Sequence, residues 1–373
     1  MRKIFGTVAI AASLASLAGC GSHDPGAAGH GGASDAPLGS VAISAITTDA
    51  VYVVNGGDAT IAVLDASSGA VLGKIKLENV SFPHHVYMSP DRAKIAIGVP
   101  GHDLSSGHSA AAQSGGEHGG GAHGGAATPT GGAVLVLDAR TGAMIKSRRL
   151  EASNHNSIFS PDGREIWTAL LRDDGAVLVL DAETLETKQT IKVGRVPAEV
   201  TFTPDGKYAF VANGTSNDIT VIDVATKAVA KTIPVDKEPV GAWPGADGLM
   251  YVDCEVAKTL KAIDPKTLEI VRTYNLGFTP GIAVVPPART GELWVTDTDS
   301  GKIVFNKTDA DAKVAELATA AGAHALAFTP DGKTAFVTNQ NGDSVTLIDA
   351  ATRVAKATVP VGSKPNGVLF RAK

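Results

Sequence analysis

AEVTFTPDGKYAFVANGTSNDITVIDVATKAVAKTIPVDKEP, residues 198–239, contains four short runs in which apolar and polar side chains alternate, separated by turn residues. Alternation with period two turns one face of a strand toward a core and the other away from it. AEVTFT reads as a first strand, Pro204-Asp205-Gly206 as a turn, KYAFVAN as a second strand, GTSN as a loop, DITVIDV as a third strand, ATK as a turn and AVAKTIPV as a fourth. Helical periodicity is nearly absent, so the stretch is one antiparallel four-stranded unit.

The unit repeats. Ser/Thr-Pro-Asp returns as MSPD (88–91), FSPDG (159–163), FTPDG (202–206) and FTPDG (328–332). Pro204 and Pro330 are 126 residues apart, three units of 42, and Pro161 and Pro204 are 43 apart. Pro90 and Pro161 are 71 apart, one unit plus an excess of about 29 residues. Four short strands per 42 residues is the size of a propeller blade; a β-helix or a β-sandwich fits three tight connections per unit less well. Second-to-fourth-strand material recurs at 51–77, 94–150, 165–193, 207–235, 249–276, 291–318 and 333–361, so an all-β fold is expected, a seven-bladed β-propeller of four-stranded antiparallel blades. The chain enters on a second strand and ends on first-strand material, NGVLFRAK (366–373). Pairing of N- and C-terminal strands would close the ring and remove open sheet edges. SVAISAI (40–46) competes with residues 367–370 for the innermost place.

FVAN (210–213), FVTN (336–339) and YVVN (52–55) resemble the Tyr-Val-Thr-Asn signature of the YVTN family of propellers, and ITVIDVATKAVAKTIPV and VTLIDAATRVAKATVPVG match that family's repeat over roughly residues 41–373. YVDC (251–254) and WVTD (294–297) depart from it. The resemblance implies the fold and guides function weakly, because the family includes surface proteins, periplasmic accessory proteins and relatives of the haem-binding propeller of nitrite reductase.

MRKIFGTVAIAASLASLAGC places Arg2 and Lys3 before an apolar run, which reads as a secretory signal over residues 1–19. Leu17-Ala18-Gly19-Cys20 resembles the bacterial lipoprotein box, which implies cleavage before Cys20, its lipidation with palmitate-type chains, and membrane attachment on the periplasmic side. Gly21 rather than an aspartate after the cysteine implies the outer membrane by the same resemblance. Residues 20–40 form a Gly/Ala/Ser-rich tether and 41–373 the propeller. With Cys20 lipidated only Cys254 remains, so no intramolecular disulfide is expected and burial must supply stability, which 44% hydrophobic residues allow. A net charge of −5 with both signs dispersed offers no footprint for nucleic acid.

The excess in the second unit is GHDLSSGHSAAAQSGGEHGGGAHGG (101–125), inside an insertion at 100–132 between strands two and three. In a meander that loop shares a face with the starts of the innermost strands. Counting back four residues from Met88, Phe159 and Phe328 gives His84, His155 and His324, whereas the same count gives Ala198 and Asn366 elsewhere. Three imidazoles at one structural position, with His85 or Glu199 as a fourth donor, suit zinc or copper(II); the opposing reading is histidines that only hydrogen-bond a neighbouring blade. His102, Asp103, His108, Glu117, His118 and His123 of the insertion are further candidate ligands for a metal-gathering arm.

Enzyme motifs are absent: there is no Gly-x-Ser-x-Gly, no His-Glu-x-x-His and no phosphate loop. DASSGAVL (65–72) and DARTGAMI (138–145) lack the tryptophan of quinoprotein repeats, and no Cys-x-x-Cys-His exists for covalent haem, which leaves noncovalent haem open. Three functions follow as expectations: a non-enzymatic metal-handling or metallochaperone protein that delivers to a periplasmic transporter or apoenzyme; a redox enzyme or cofactor-assembly factor on the same histidines; or a protein-interaction scaffold.

Overall fold

Each Ser/Thr-Pro-Asp phrase is a self-contained turn. In FTPDG (202–206), Thr203 Oγ1 donates to the Asp205 carboxylate at 2.6 Å and accepts the Tyr208 amide at 3.1 Å. Ser89, Ser160 and Thr329 make the same pair of bonds with Asp91, Asp162 and Asp331 and with the amides of Lys94, Glu165 and Thr334. The residue after the aspartate adopts positive φ, which glycine supplies at 163, 206 and 332 and Arg92 supplies at φ 61°. A second recurrent turn closes the outer hairpin: Asp65, Asp138, Asp181, Asp223 and Asp349 accept hydrogen bonds from the Ser or Thr that follows. Those bonds, with Ser67 foremost, pull the Asp65 carboxyl down to about 2.

The computed structural model describes residues 36–105 and 131–373. These build a seven-bladed β-propeller. Blade 1 holds β2 (Ala50–Asn55), β3 (Thr60–Asp65) and β4 (Val71–Glu78), with the C-terminal β29 (Pro365–Arg371) innermost and β1 (Gly39–Val41) added outside β4. The competition between terminal segments is therefore resolved: residues 365–371 close the ring beside β2, and the 40–46 segment straps the outer rim. Ile43 and Ile46 donate backbone hydrogen bonds at 2.9 Å to Thr141 and Arg140 of the next blade.

Blade 2 comprises β5 (Val86–Met88), β6 (Lys94–Val99), β7 (Ala133–Asp138) and β8 (Met144–Arg149). The remaining blades start on the inner strands β9 (Ile158–Phe159), β13 (Pro197–Phe202), β17 (Pro239–Pro244), β21 (Pro280–Val284) and β25 (Ala323–Phe328). Their second strands are β10 (Glu165–Leu170), β14 (Tyr208–Asn213), β18 (Met250–Cys254), β22 (Glu292–Asp297) and β26 (Thr334–Asn339). Second and third strands are apolar on both faces because each blade is sandwiched between two others; TIAVLD of β3 is buried at its first five positions. Outer strands alternate, as in VLGKIKLE of β4, where only Ile75 and Leu77 are buried. Aromatic rings fill the wedge between blades 6 and 7, with Trp294 edge-on to Phe305 at 4.7 Å and to Phe328 at 5.2 Å.

The expected signal over 1–19, Cys20 and most of the tether over 20–40 lie outside the described residues, as do His108, Glu117, His118 and His123. Truncation after Lys364 removes β29 and uncovers Val51 and Val53, which have no exposed surface. The expected outcome is loss of the single cooperative transition in a circular-dichroism melt; a truncated chain that melts like the parent would contradict closure by β29.

Candidate metal centre

The inner strands do not pair evenly with their neighbours. Pro197 pairs with Asn213 and Val200 with Val211, so Ala198 and Glu199 together stand opposite Ala212 alone. The same two-for-one bulge sets Val240–Gly241 opposite Asp253, Gly281–Ile282 opposite Thr296, His324–Ala325 opposite Thr338 and Asn366–Gly367 opposite Val54. In blade 2, the His84 amide donates to Gly98 O at 2.9 Å and the Gly98 amide to His85 O at 3.2 Å, so His84 and His85 face Gly98. A bulge breaks the alternation of a strand and re-aims its side chains. His84, His85 and His324 lie at such bulges, and His155 occupies the corresponding place ahead of β9.

The bulges are locked by neighbours. Thr296 Oγ1 accepts the Ile282 amide at 2.9 Å and donates to the His324 carbonyl at 2.7 Å; Thr338 does the same with Ala325 and the Asn366 carbonyl. Asn154 holds the His155 segment to Ala133 O at 3.2 Å and Thr168 Oγ1 at 3.0 Å. Asn156 pairs with the next inner strand, donating to Val200 O at 2.8 Å and accepting the Val200 amide at 3.2 Å. A Cβ at Gly98 would lie 2.7 Å from the Asn156 Cα, so only glycine lets the His84 and His155 segments approach.

The result is a cluster. His84, His85 and His155 are buried, and one nitrogen from each lies within 4.8 Å of the others. Ring centroids are 4.5 Å apart for His84–His85, 4.3 Å for His84–His155 and 4.7 Å for His85–His155. His324, half-buried, stands at the edge, 5.6 Å from His84 and 5.9 Å from His85. Glu199, fully buried, brings Oε1 to 3.4 Å from His155 Nδ1 and 3.7 Å from His85 Nε2, and accepts from Tyr87 OH at 3.3 Å. His102 is on the same face, its Nδ1 3.4 Å from Ser153 Oγ. Three imidazoles and one carboxylate are a donor set for zinc or copper(II). Glu199 Oε2 has no hydrogen-bond partner among the described residues, which fits a group that awaits a cation.

Three contributors escaped the sequence reading: Tyr87, Trp243 and Asp253. Asp253 stands where blades 6 and 7 carry Thr296 and Thr338. Its Oδ1 accepts the Gly241 amide at 3.1 Å and Trp243 Nε1 at 2.7 Å, and the Trp243 ring lies 6.0 Å from that of His85. Its signal was present in YVDC, where the corresponding phrases of other blades carry Val54, Ala212, Thr296 and Thr338 rather than an acid. Burial, and then the neighbouring Asp253 charge, push the Glu199 carboxyl well above the usual range; burial, and then Glu255, do the same to Asp253.

Comparison with known proteins agrees with the fold. A family profile described as a domain of unknown function (DUF5074) matches residues 126–284, less than half of the chain. No curated protein matches the sequence. Among solved structures, the periplasmic gluconolactonase PpgL of Pseudomonas aeruginosa is similar with a TM-score of 0.68 and 19% identity, covering 87% of this chain and 99% of that one. The dihydro-heme d1 dehydrogenase NirN, solved in complex with DHE, is similar with a TM-score of 0.59 and 15% identity over 88% of this chain and 76% of that one. Kuenenia stuttgartiensis hydrazine synthase is similar with a TM-score of 0.59 and 18% identity over 79% of this chain and 90% of that one. At these identities the likeness is one of fold.

Because Glu199 has a raised folded pKa, the folded chain keeps a proton that the unfolded chain has lost. The stability it contributes is full below the ordinary carboxylate range and is lost as pH rises toward the folded value, at about 1.4 kcal/mol per pH unit. In protein stripped of metal by a chelator, Glu199→Gln is expected to gain stability relative to the parent as pH rises above the ordinary carboxylate range. Denaturant melts across that rise measure it, and a constant difference would contradict the assigned shift.

Proposed function

We propose that this protein is a lipid-anchored periplasmic β-propeller that binds one divalent transition metal ion, zinc or copper(II), on His84, His85 and His155, with Glu199 as a fourth donor, and that it handles the ion rather than catalysing a reaction. The observation that carries the reading is the convergence of three buried imidazoles from two blades beside a buried carboxylate. Histidines that served only to hold blades together would have no need of a carboxylate whose second oxygen lacks a hydrogen-bond partner. A cation supplies the counter-charge that this carboxylate lacks, and when bound it would act there as a Lewis acid.

We assign residues 106–130, with His108, Glu117, His118 and His123, the capture of ions, with a transporter or apoenzyme as recipient. The anchor rests on Leu17-Ala18-Gly19-Cys20, and the YVTN resemblance on the Tyr-Val-Thr-Asn phrases. A second reading, a noncovalent haem or redox centre on the same histidines, draws support from the half-buried position of His324 and from the fold likeness to NirN. A visible absorption spectrum of the purified protein separates the two.

Elemental analysis of untagged protein is expected to find about one zinc or copper ion per chain, bound more weakly below about pH 6 as the imidazoles protonate. Replacing His84, His85 and His155 together by alanine is expected to remove it; unchanged metal content would sink the site. Cys20→Ser is expected to move the protein from the membrane fraction to the soluble fraction on cell fractionation.

A further inference from the structure

One position of each blade, the first bulge residue or in blade 3 its counterpart four residues before Phe159, forms a ring of seven around the channel mouth. Going round the blades from β29, the residue there is Asn366, His84, His155, Ala198, Val240, Gly281 and His324. The ring is divided: one arc carries imidazoles and an amide, and the opposite arc carries only Ala198, Val240 and Gly281. The apolar arc alone would leave a wet, open half-channel beside the histidines. It is filled by Leu104, which packs with Leu171, Val196, Ala198 and Val240 and is 3% exposed.

Leu104 comes from blade 2, so the chain must cross the mouth to reach that socket. It is held on both sides of its path. Lys364, just before β29, forms an ion pair with Asp103 and donates to Ser105 Oγ at 3.2 Å. His102 meets Ser153, just before the His155 segment, and the Ser105 amide turns back onto Asp103 Oδ1 at 3.0 Å. An apolar side chain from a Gly-flanked loop, buried between three other blades, is unnecessary for the loop to connect β6 to β7.

We propose that residues 101–105 are a strap that closes the histidine site, and that an ion exchanges only when Leu104 leaves its socket and the Asp103–Lys364 pair opens. This rests on the metal-binding reading for the identity of the ligand, but the closure itself is a property of the metal-free protein. It explains why His84, His85 and His155 are buried at the mouth of a channel.

The test uses the full-length protein and three single variants, Leu104→Ala, Asp103→Asn and Lys364→Met, none of which alters His84, His85, His155 or Glu199. Zinc-loaded protein is mixed with excess chelating dye and the release rate is followed. Release is expected to quicken by about tenfold or more in Leu104→Ala and by less in the two ion-pair variants, with stoichiometry unchanged. In parallel, metal-free proteins are treated with diethyl pyrocarbonate, and modification of His84, His85 and His155 is expected to quicken in the same order. Parent-like rates in both measurements overturn the strap while leaving the metal site intact. If the parent binds no zinc or copper, the metal reading fails, and the modification rates alone decide the strap. The two ion-pair variants change part-exposed groups outside the apolar socket, so they keep the test decisive should Leu104→Ala fold poorly.

Discussion

In six of the seven blades two residues at the inner strand stand opposite one residue of its neighbour, and the chemistry of the channel mouth depends on that mismatch. A regular strand would send His84 and His85 to opposite faces. The bulge instead brings their rings to 4.5 Å, and the segment ahead of β9 brings His155 against both. Several of the residues opposite the bulges are small or bond to them: Gly98 where two inner segments close on each other, Thr296 and Thr338 where a hydroxyl both accepts and donates.

Asp253 occupies that same position and cannot play the hydroxyl's full part while ionised, because a carboxylate has no proton to donate. Its burial beside Glu199 places two acids in one low-dielectric region, and each is driven toward its neutral form. Such a region stores unfavourable free energy unless a cation arrives. The propeller can tolerate it because the surrounding blades are tightly packed: large aromatic and aliphatic side chains between blades, Trp167, Trp294, Tyr52 and Tyr251 among them, are almost wholly buried. The scaffold is stable by repetition and the site departs from the repeat.

Much of the fold was legible because the repeat is written in turns as well as strands. Ser/Thr-Pro-Asp marks the inner hairpins of blades 2, 3, 4 and 7 through bonds confined to a few residues, and the Asp-x-x-Ser/Thr phrase marks five of the outer ones, so local chemistry sets where those strands end. The position of His84, His155 and His324 relative to those turns was legible for the same reason. Tyr87, Trp243 and Asp253 were not, since nothing local distinguishes a strand residue that faces the channel from one that faces the next blade. Leu104 was hidden by its setting: a single apolar residue in a Gly/Ser/His-rich stretch carries no period.

The amino-acid sequence by itself determined the unit, its number and the place of the insertion, because alternation and turn chemistry act over a handful of residues. It also determined which inner strands begin with histidine. Only the tertiary structure decided which terminal segment lies innermost, since residues 40–46 and 365–371 are equally strand-like and the choice turns on which one pairs with β2 once the ring closes. Only the tertiary structure placed His85 within the trio and His324 at its edge. Period-two alternation predicts the opposite for consecutive residues, and the bulge that overrides it arises from how seven inner strands must crowd around one axis.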